Sequence, residues 1–132
     1  MTELKTILIT DDDPDYLFQM KLKVEKMGFN VIPAEGQKEA ERILESVKPD
    51  LAILDLMMET EDSGFVLAYK LKKKYPDVPV IIATAVAAET GMHFETGASG
   101  NRNWIKADLF LDKGIRSEQL HKEIKRLLHI LD

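Results

Sequence analysis

Three consecutive aspartates, Asp11, Asp12 and Asp13, stand between the apolar run "TILIT" and Pro14. Unit charges about 4 Å apart repel by roughly 1 kcal/mol in water and about 4 kcal/mol near a protein surface. A chain that gathers them either turns them to water around a helix cap or places a cation among them. Asp followed by Pro is a helix start, with Asp13 as N-cap and Pro14 at the first helical position. That leaves Asp11 and Asp12 at the end of the apolar run. Asp55 closes "LAILD" in the same way, Thr84 closes "VPVIIAT", and Lys113 follows "DLFLD".

If these runs are strands of one parallel sheet, three carboxylates, a hydroxyl and an amine converge on one edge, where such folds bind ligands. Mg²⁺ takes hard oxygen ligands and typically uses one or two carboxylates plus phosphate oxygens. A carboxylate can also act as a nucleophile toward phosphorus, giving an aspartyl-phosphate. A metal and an ammonium would neutralise the transferring phosphoryl oxygens, with the hydroxyl bonding one of them.

The elements that must position these groups are legible in the spacing. "TILIT" (6–10), "FNVIPA" (29–34), "LAILD" (51–55), "VPVIIAT" (78–84) and "DLFLD" (108–112) read as short, buried strands. Leu17, Met20, Val24 and Met27 line one face of a helix closed by Gly28. Further helices are predicted over 36–47, with Ala40, Ile43, Leu44 and Val47 inward, and over about 65–75, with Leu67 and Leu71 inward. Lys72, Lys73 and Lys74 form that helix's solvated end. A last helix from Ser117 carries Leu120, Ile124, Leu127, Leu128 and Leu131. Strands alternate with helices, so the expected class is α/β with a parallel sheet covered on both faces. Residues 1–132 form one domain. The segment 86–107 holds three glycines and two asparagines, which argues against a full helix there.

Composition bounds the function. With 45% hydrophobic and 31% charged residues, the chain is ordinary globular protein. It has no run long enough to span a bilayer and no signal-peptide pattern. The absence of cysteine excludes thiolate metal sites and disulfides, and fits a reducing cytoplasm. A net charge of −5 argues against direct nucleic-acid binding. His93, His121 and His129 show no ligand spacing.

The pieces "ILITDDDPD", "LAILDLMM", "PVIIATA" and "DLFLDKG", in this order, resemble the receiver domain of bacterial two-component response regulators. The resemblance covers nearly the whole chain. It implies a flavodoxin-like, doubly wound five-stranded sheet of order 2-1-3-4-5. It implies that Asp55 is the phosphoacceptor, Asp12 a direct Mg²⁺ ligand, Asp11 a water-mediated one, and Met57 a ligand through its backbone carbonyl. Thr84 would contact the phosphoryl group and shift on phosphorylation beside the small Ala85. Lys113 would pair with the phosphoryl oxygens, and Phe110 would be the switch aromatic. Taken singly, Thr84 reads equally as a strand-end hydroxyl, Lys113 as a surface lysine and Phe110 as core. The implied function is a phosphoacceptor switch, not an enzyme in its own right. Its donor would be a histidine kinase or phosphotransfer protein, and its output a contact with a downstream protein. No direct nucleic-acid output is expected, because the chain ends with its last helix, and no membrane partner, because no apolar run could span a bilayer.

Three departures stand out. Gly114 replaces the proline that usually follows the lysine, which predicts a trans bond and an altered loop in which a displaced Lys113 would neutralise phosphate less well. Glu59 replaces a loop proline, and Glu61 and Asp62 add negative charge near the site. The longer 88–104 segment is expected to be irregular and ordered by phosphorylation or a partner, with Trp104 as anchor. Competing readings are a phosphorylation-independent binding module and a Mg²⁺-dependent phosphohydrolase. The latter lacks its second carboxylate, since Leu56 and Met57 follow Asp55. A flavin-binding domain would need a hydroxyl-rich loop where the three carboxylates stand.

Overall fold

A computed structural model of the chain describes residues 4–60, 62–85 and 107–130. Five strands form one parallel sheet in the order β2-β1-β3-β4-β5: β1 (Thr6–Thr10), β2 (Asn30–Ala34), β3 (Leu51–Asp55), β4 (Val80–Thr84) and β5 (Leu109–Asp112). Four helices connect them among the described residues: α1 (Pro14–Lys26), α2 (Gln37–Leu44), α3 (Ser63–Lys74) and α4 (Ser117–Leu127). The expected class and strand order are both present.

Period-two alternation along the inner strands splits the core in two. Leu8, Leu54, Val80 and Ile82 pack with Ala40 and Leu44 of α2 and Leu67 and Leu71 of α3. Ile7, Ile9, Ile53 and Ile81 face the other way, onto Leu17, Met20 and Val24 of α1 and Leu120 and Ile124 of α4. Strands β3 and β4 are buried throughout, which is why they read as unbroken apolar runs. Pro33 is tolerated because β2 is an edge strand.

The helix ends obey local chemistry. Asp13 caps the start of α1, its carboxylate accepting from Asp15 N at 3.0 Å and Tyr16 N at 3.3 Å, and Gly28 closes the far end at φ +99°. Helix α2 is shorter than the sequence suggests. Tight backbone bonds from Glu45 to Arg42 and from Ser46 to Ile43 end it, leaving Val47 half-buried beyond it. Helix α3 begins two residues earlier than expected, because Ser63 and Gly64 pack into its first turn under β3. β4 starts after Pro79, with Val78 buried just before it. The lysines of α3 are not simply solvated. Lys72 pairs with Asp108 at 2.8 Å, and Lys74 donates to Glu45 O at 3.2 Å. The reading of 88–104 and Trp104 lies outside the described residues, as do His93 and Glu61.

Candidate functional site

Each inner strand delivers one group to the same edge. Asp11 leaves β1 with its backbone N–H bonded to Ala34 O at 3.1 Å. Its side chain is 2% exposed, with Oδ1 accepting from Asp13 N at 2.9 Å and Oδ2 from Lys113 Nζ at 2.7 Å. Asp55, at the end of β3, is 7% exposed and meets the same ammonium through Oδ1 at 3.0 Å. Asp12 is exposed, and ligand atoms of Asp11, Asp12 and Asp55 lie within 4.8 Å of one another. Asp13 is turned to its cap and takes no part in this cluster.

Lys113 is where the departure from the usual proline matters, and the site tolerates it. Its backbone N–H donates to Thr84 O at 3.1 Å, one step past the Thr84–Asp112 register pair. Gly114 N donates to Asp112 Oδ1 at 2.7 Å, so the aspartate side chain builds the turn. The Lys113–Gly114 bond is trans. The loop thus differs in its making, yet Lys113 is not displaced from the carboxylates.

The electrostatics follow from the packing. Burial pushes the Asp55 carboxyl up to about 6, Asp11 and Asp12 push the same way, and Lys113 opposes them. Burial also works against the Lys113 charge, but its bonds to Asp11 and Asp55 prevail and hold it above the usual lysine value. Three carboxylates against one ammonium leave two negative charges. Close-set hard oxygens of this kind suit a small divalent cation, so Asp11, Asp12 and Asp55 fit Mg²⁺.

Thr84 ends β4 one residue beyond Ala83, the register partner of Asp55, and is 2% exposed. Phe110 lies lower, opposite Ile82, half-buried with its ring edge-on to Phe65 of α3 at 6.1 Å. Met57 follows Asp55 by two residues in the β3–α3 loop, and its side chain is exposed. Gly64 permits this loop: a Cβ there would lie 2.5 Å from Asp55 O and 2.7 Å from Leu56 Cα.

Two residues were missed by sequence reasoning. The ring of Tyr16, in the first turn of α1, lies 4.6 Å from Lys113 Nζ and covers the ammonium. Burial raises its hydroxyl pKa, with Lys113 opposing. The only signal was its place three residues after the capping Asp13. Glu59, singled out only as the replacement of a proline, stands apart from the cluster. Its carboxylate accepts from Gln37 N at 2.8 Å and Lys38 N at 3.2 Å at the start of α2. Burial pushes its carboxyl up, but the backbone bonds from Gln37 and Lys38 together outweigh that and hold it below the usual glutamate value. Nothing in the linear pattern joins positions 37 and 59.

Comparison with known proteins agrees with this fold. The model of the response regulator receiver domain matches residues 7–125. A CheY-like receiver domain protein from Methanospirillum hungatei superposes with a TM-score of 0.79 at 26% identity, covering 96% of this chain and 95% of that one. The response regulator TrrA from Thermotoga maritima, solved in complex with Mg²⁺-BeF, gives 0.77 at 27% identity over 94% and 99%. The transcriptional regulatory protein GlrR of Escherichia coli is 40% identical over 79 residues, 60% of this chain and 18% of that protein. The regulator PhoP of alkaline phosphatase synthesis in Bacillus subtilis is 27% identical over 126 residues, 94% of this chain and 48% of that one. This chain therefore spans less than half the length of either curated relative. No helix among the described residues is long and apolar enough to cross a membrane.

Proposed function

Because the chain belongs to the response regulator receiver domain family, we propose that it is a phosphoacceptor switch whose acceptor is Asp55. The observation that carries this reading is the single ammonium of Lys113 bridging two buried carboxylates, Asp11 and Asp55, beside the exposed Asp12. The donor would be a phosphohistidine of a histidine kinase or phosphotransfer protein. A carboxylate oxygen of Asp55 attacks phosphorus, the P–N bond breaks, and its electron pair leaves with the imidazole.

Asp11, Asp12, Asp55 and the Met57 carbonyl would hold Mg²⁺, which supplies positive charge to the phosphoryl oxygens when bound. Lys113 neutralises a further oxygen, and Tyr16 keeps water from the ammonium's outer face. The Thr84 hydroxyl takes another phosphoryl oxygen, and its shift is passed to Phe110, whose rotamer change would break the contact with Phe65. Output runs through protein contacts of the altered surface. The pairing of Lys70 and Lys72 of α3 with Glu41 and Asp108 supports this over a nucleic-acid face on that helix.

Incubation with a small-molecule phosphodonor and Mg²⁺, followed by intact mass, tests the reading. One phosphoryl mass on the wild type and none on Asp55→Asn is expected. No added mass on a folded wild type would overturn the proposal in favour of a phosphorylation-independent binding module.

A further inference from the structure

Helix α2 starts without a cap of its own. Its N-cap residue is Gly36, which has no side chain to offer, so the first N–H groups of the helix need a partner from elsewhere. The partner is Glu59, which reaches over from the loop between β3 and α3. Its two oxygens take Gln37 N and Lys38 N separately, at 2.8 and 3.2 Å. The helix dipole favours a carboxylate there. Gly36 is what admits it: a Cβ at that position would stand 2.8 Å from Glu59 Oε2 and 3.1 Å from Cδ.

The consequence falls on the loop rather than the helix. Glu59 is two residues from Met57 and four from Asp55. Past Glu59 the loop is tied to α3, with Thr60 N on Ser63 Oγ at 2.9 Å and Gly64 N on Leu56 O at 2.8 Å. Met58, next to it, packs half-buried against the core and its N–H donates to Thr60 O at 3.1 Å, so the peptide that carries the Met57 carbonyl belongs to a tight turn around Glu59. The two-pronged bond ties the middle of that turn to α2.

We propose that Glu59 is a positioning residue for the metal: it moors the β3–α3 loop to α2 and so presents the Met57 carbonyl to Mg²⁺. This rests on the Mg²⁺ reading above. Loss of the mooring leaves Asp11, Asp12 and Asp55 in place and costs one ligand's preorganisation, so binding weakens without being abolished.

Titration of the full chain with MgCl₂ by calorimetry, paired with thermal unfolding in EDTA, separates mooring from mere capping. Glu59→Ala is expected to weaken Mg²⁺ binding by about ten-fold, the low end for outer-shell partners of a metal ligand. Glu59→Gln keeps an acceptor oxygen and should fall between. Gly36→Asn offers α2 its own cap, and its Cβ, 2.8 Å from Glu59 Oε2, forces that carboxylate to move off its paired bonds. It should therefore unfold no earlier than wild type yet bind Mg²⁺ as weakly as Glu59→Ala. Wild-type affinity in both Glu59→Ala and Gly36→Asn would overturn this inference alone. Failure of the wild type to bind Mg²⁺ would overturn the metal reading and this inference with it.

Discussion

Replacing Lys113 with methionine keeps an unbranched stem of similar reach and removes only the charge. The ammonium lies 2.7 Å from Asp11 and 3.0 Å from Asp55, whose side chains are 2% and 7% exposed. At an effective dielectric of about 20, each contact amounts to about 5–6 kcal/mol of Coulomb attraction. Two carboxylates within 4.8 Å repel by at least about 3 kcal/mol on the same scale. Much of the attraction offsets desolvation already incurred on folding, so the net loss follows the pattern for a buried pair stripped of one partner, about 3–5 kcal/mol. That is a large share of the stability of a domain this size.

Urea unfolding in EDTA at pH 8 measures the loss directly. Saturating Mg²⁺ should narrow the deficit, because the cation takes over the role of the ammonium and stabilises the variant more than the wild type. Lowering the pH to 5 should narrow it too, since Asp55, already held at about 6, then takes up a proton. A variant within about 0.5 kcal/mol of wild type in EDTA, or a deficit unmoved by Mg²⁺, would refute the claim that Lys113 neutralises a buried acidic pair.

The other predictions concern the same edge. With Asp55 raised from 3.8 to about 6, the folded state binds the extra proton. Metal-free stability should then fall by about 3 kcal/mol as pH rises from 4 through 6 and level off above, and Asp55→Asn should flatten that fall in a pH series of denaturant melts. Gly64→Ala forces a methyl against backbone of β3 that cannot yield. A cost of about 2–3 kcal/mol is expected by chemical denaturation, and a neutral result would mean that the loop and β3 do not meet as described. Thr10 Oγ1 is buried with no hydrogen-bond partner among the described residues. Thr10→Val should therefore stabilise by about 1 kcal/mol in the same assay, whereas destabilisation would reveal a bond to that hydroxyl.

What the sequence made legible was whatever depended on near neighbours. Asp13 before Pro14 announced a capped helix, and the strand runs ending in Asp55 and Thr84 announced a buried parallel sheet. Convergence of Asp11, Asp55 and Lys113 followed from topology alone, because parallel strands place their carboxyl ends on one edge. Contacts that bridge elements without a register were out of reach. Glu59 read only as a replaced proline, although it caps a helix 22 residues earlier in the chain. Tyr16 read as nothing in particular until Lys113 was seen under its ring. Lys72 read as a solvated helix end, although Asp108 waits for it on the far side of β4.

The central claim is that Asp55 takes a phosphoryl group in a reaction supported by Mg²⁺. Borohydride reduces an aspartyl-phosphate to homoserine, so peptide mass analysis of the reduced protein locates the modified residue. After treatment with phosphodonor, homoserine is expected at position 55 alone, formed with Mg²⁺ and suppressed by EDTA. Homoserine at another position, or equal yield in EDTA, would contradict it.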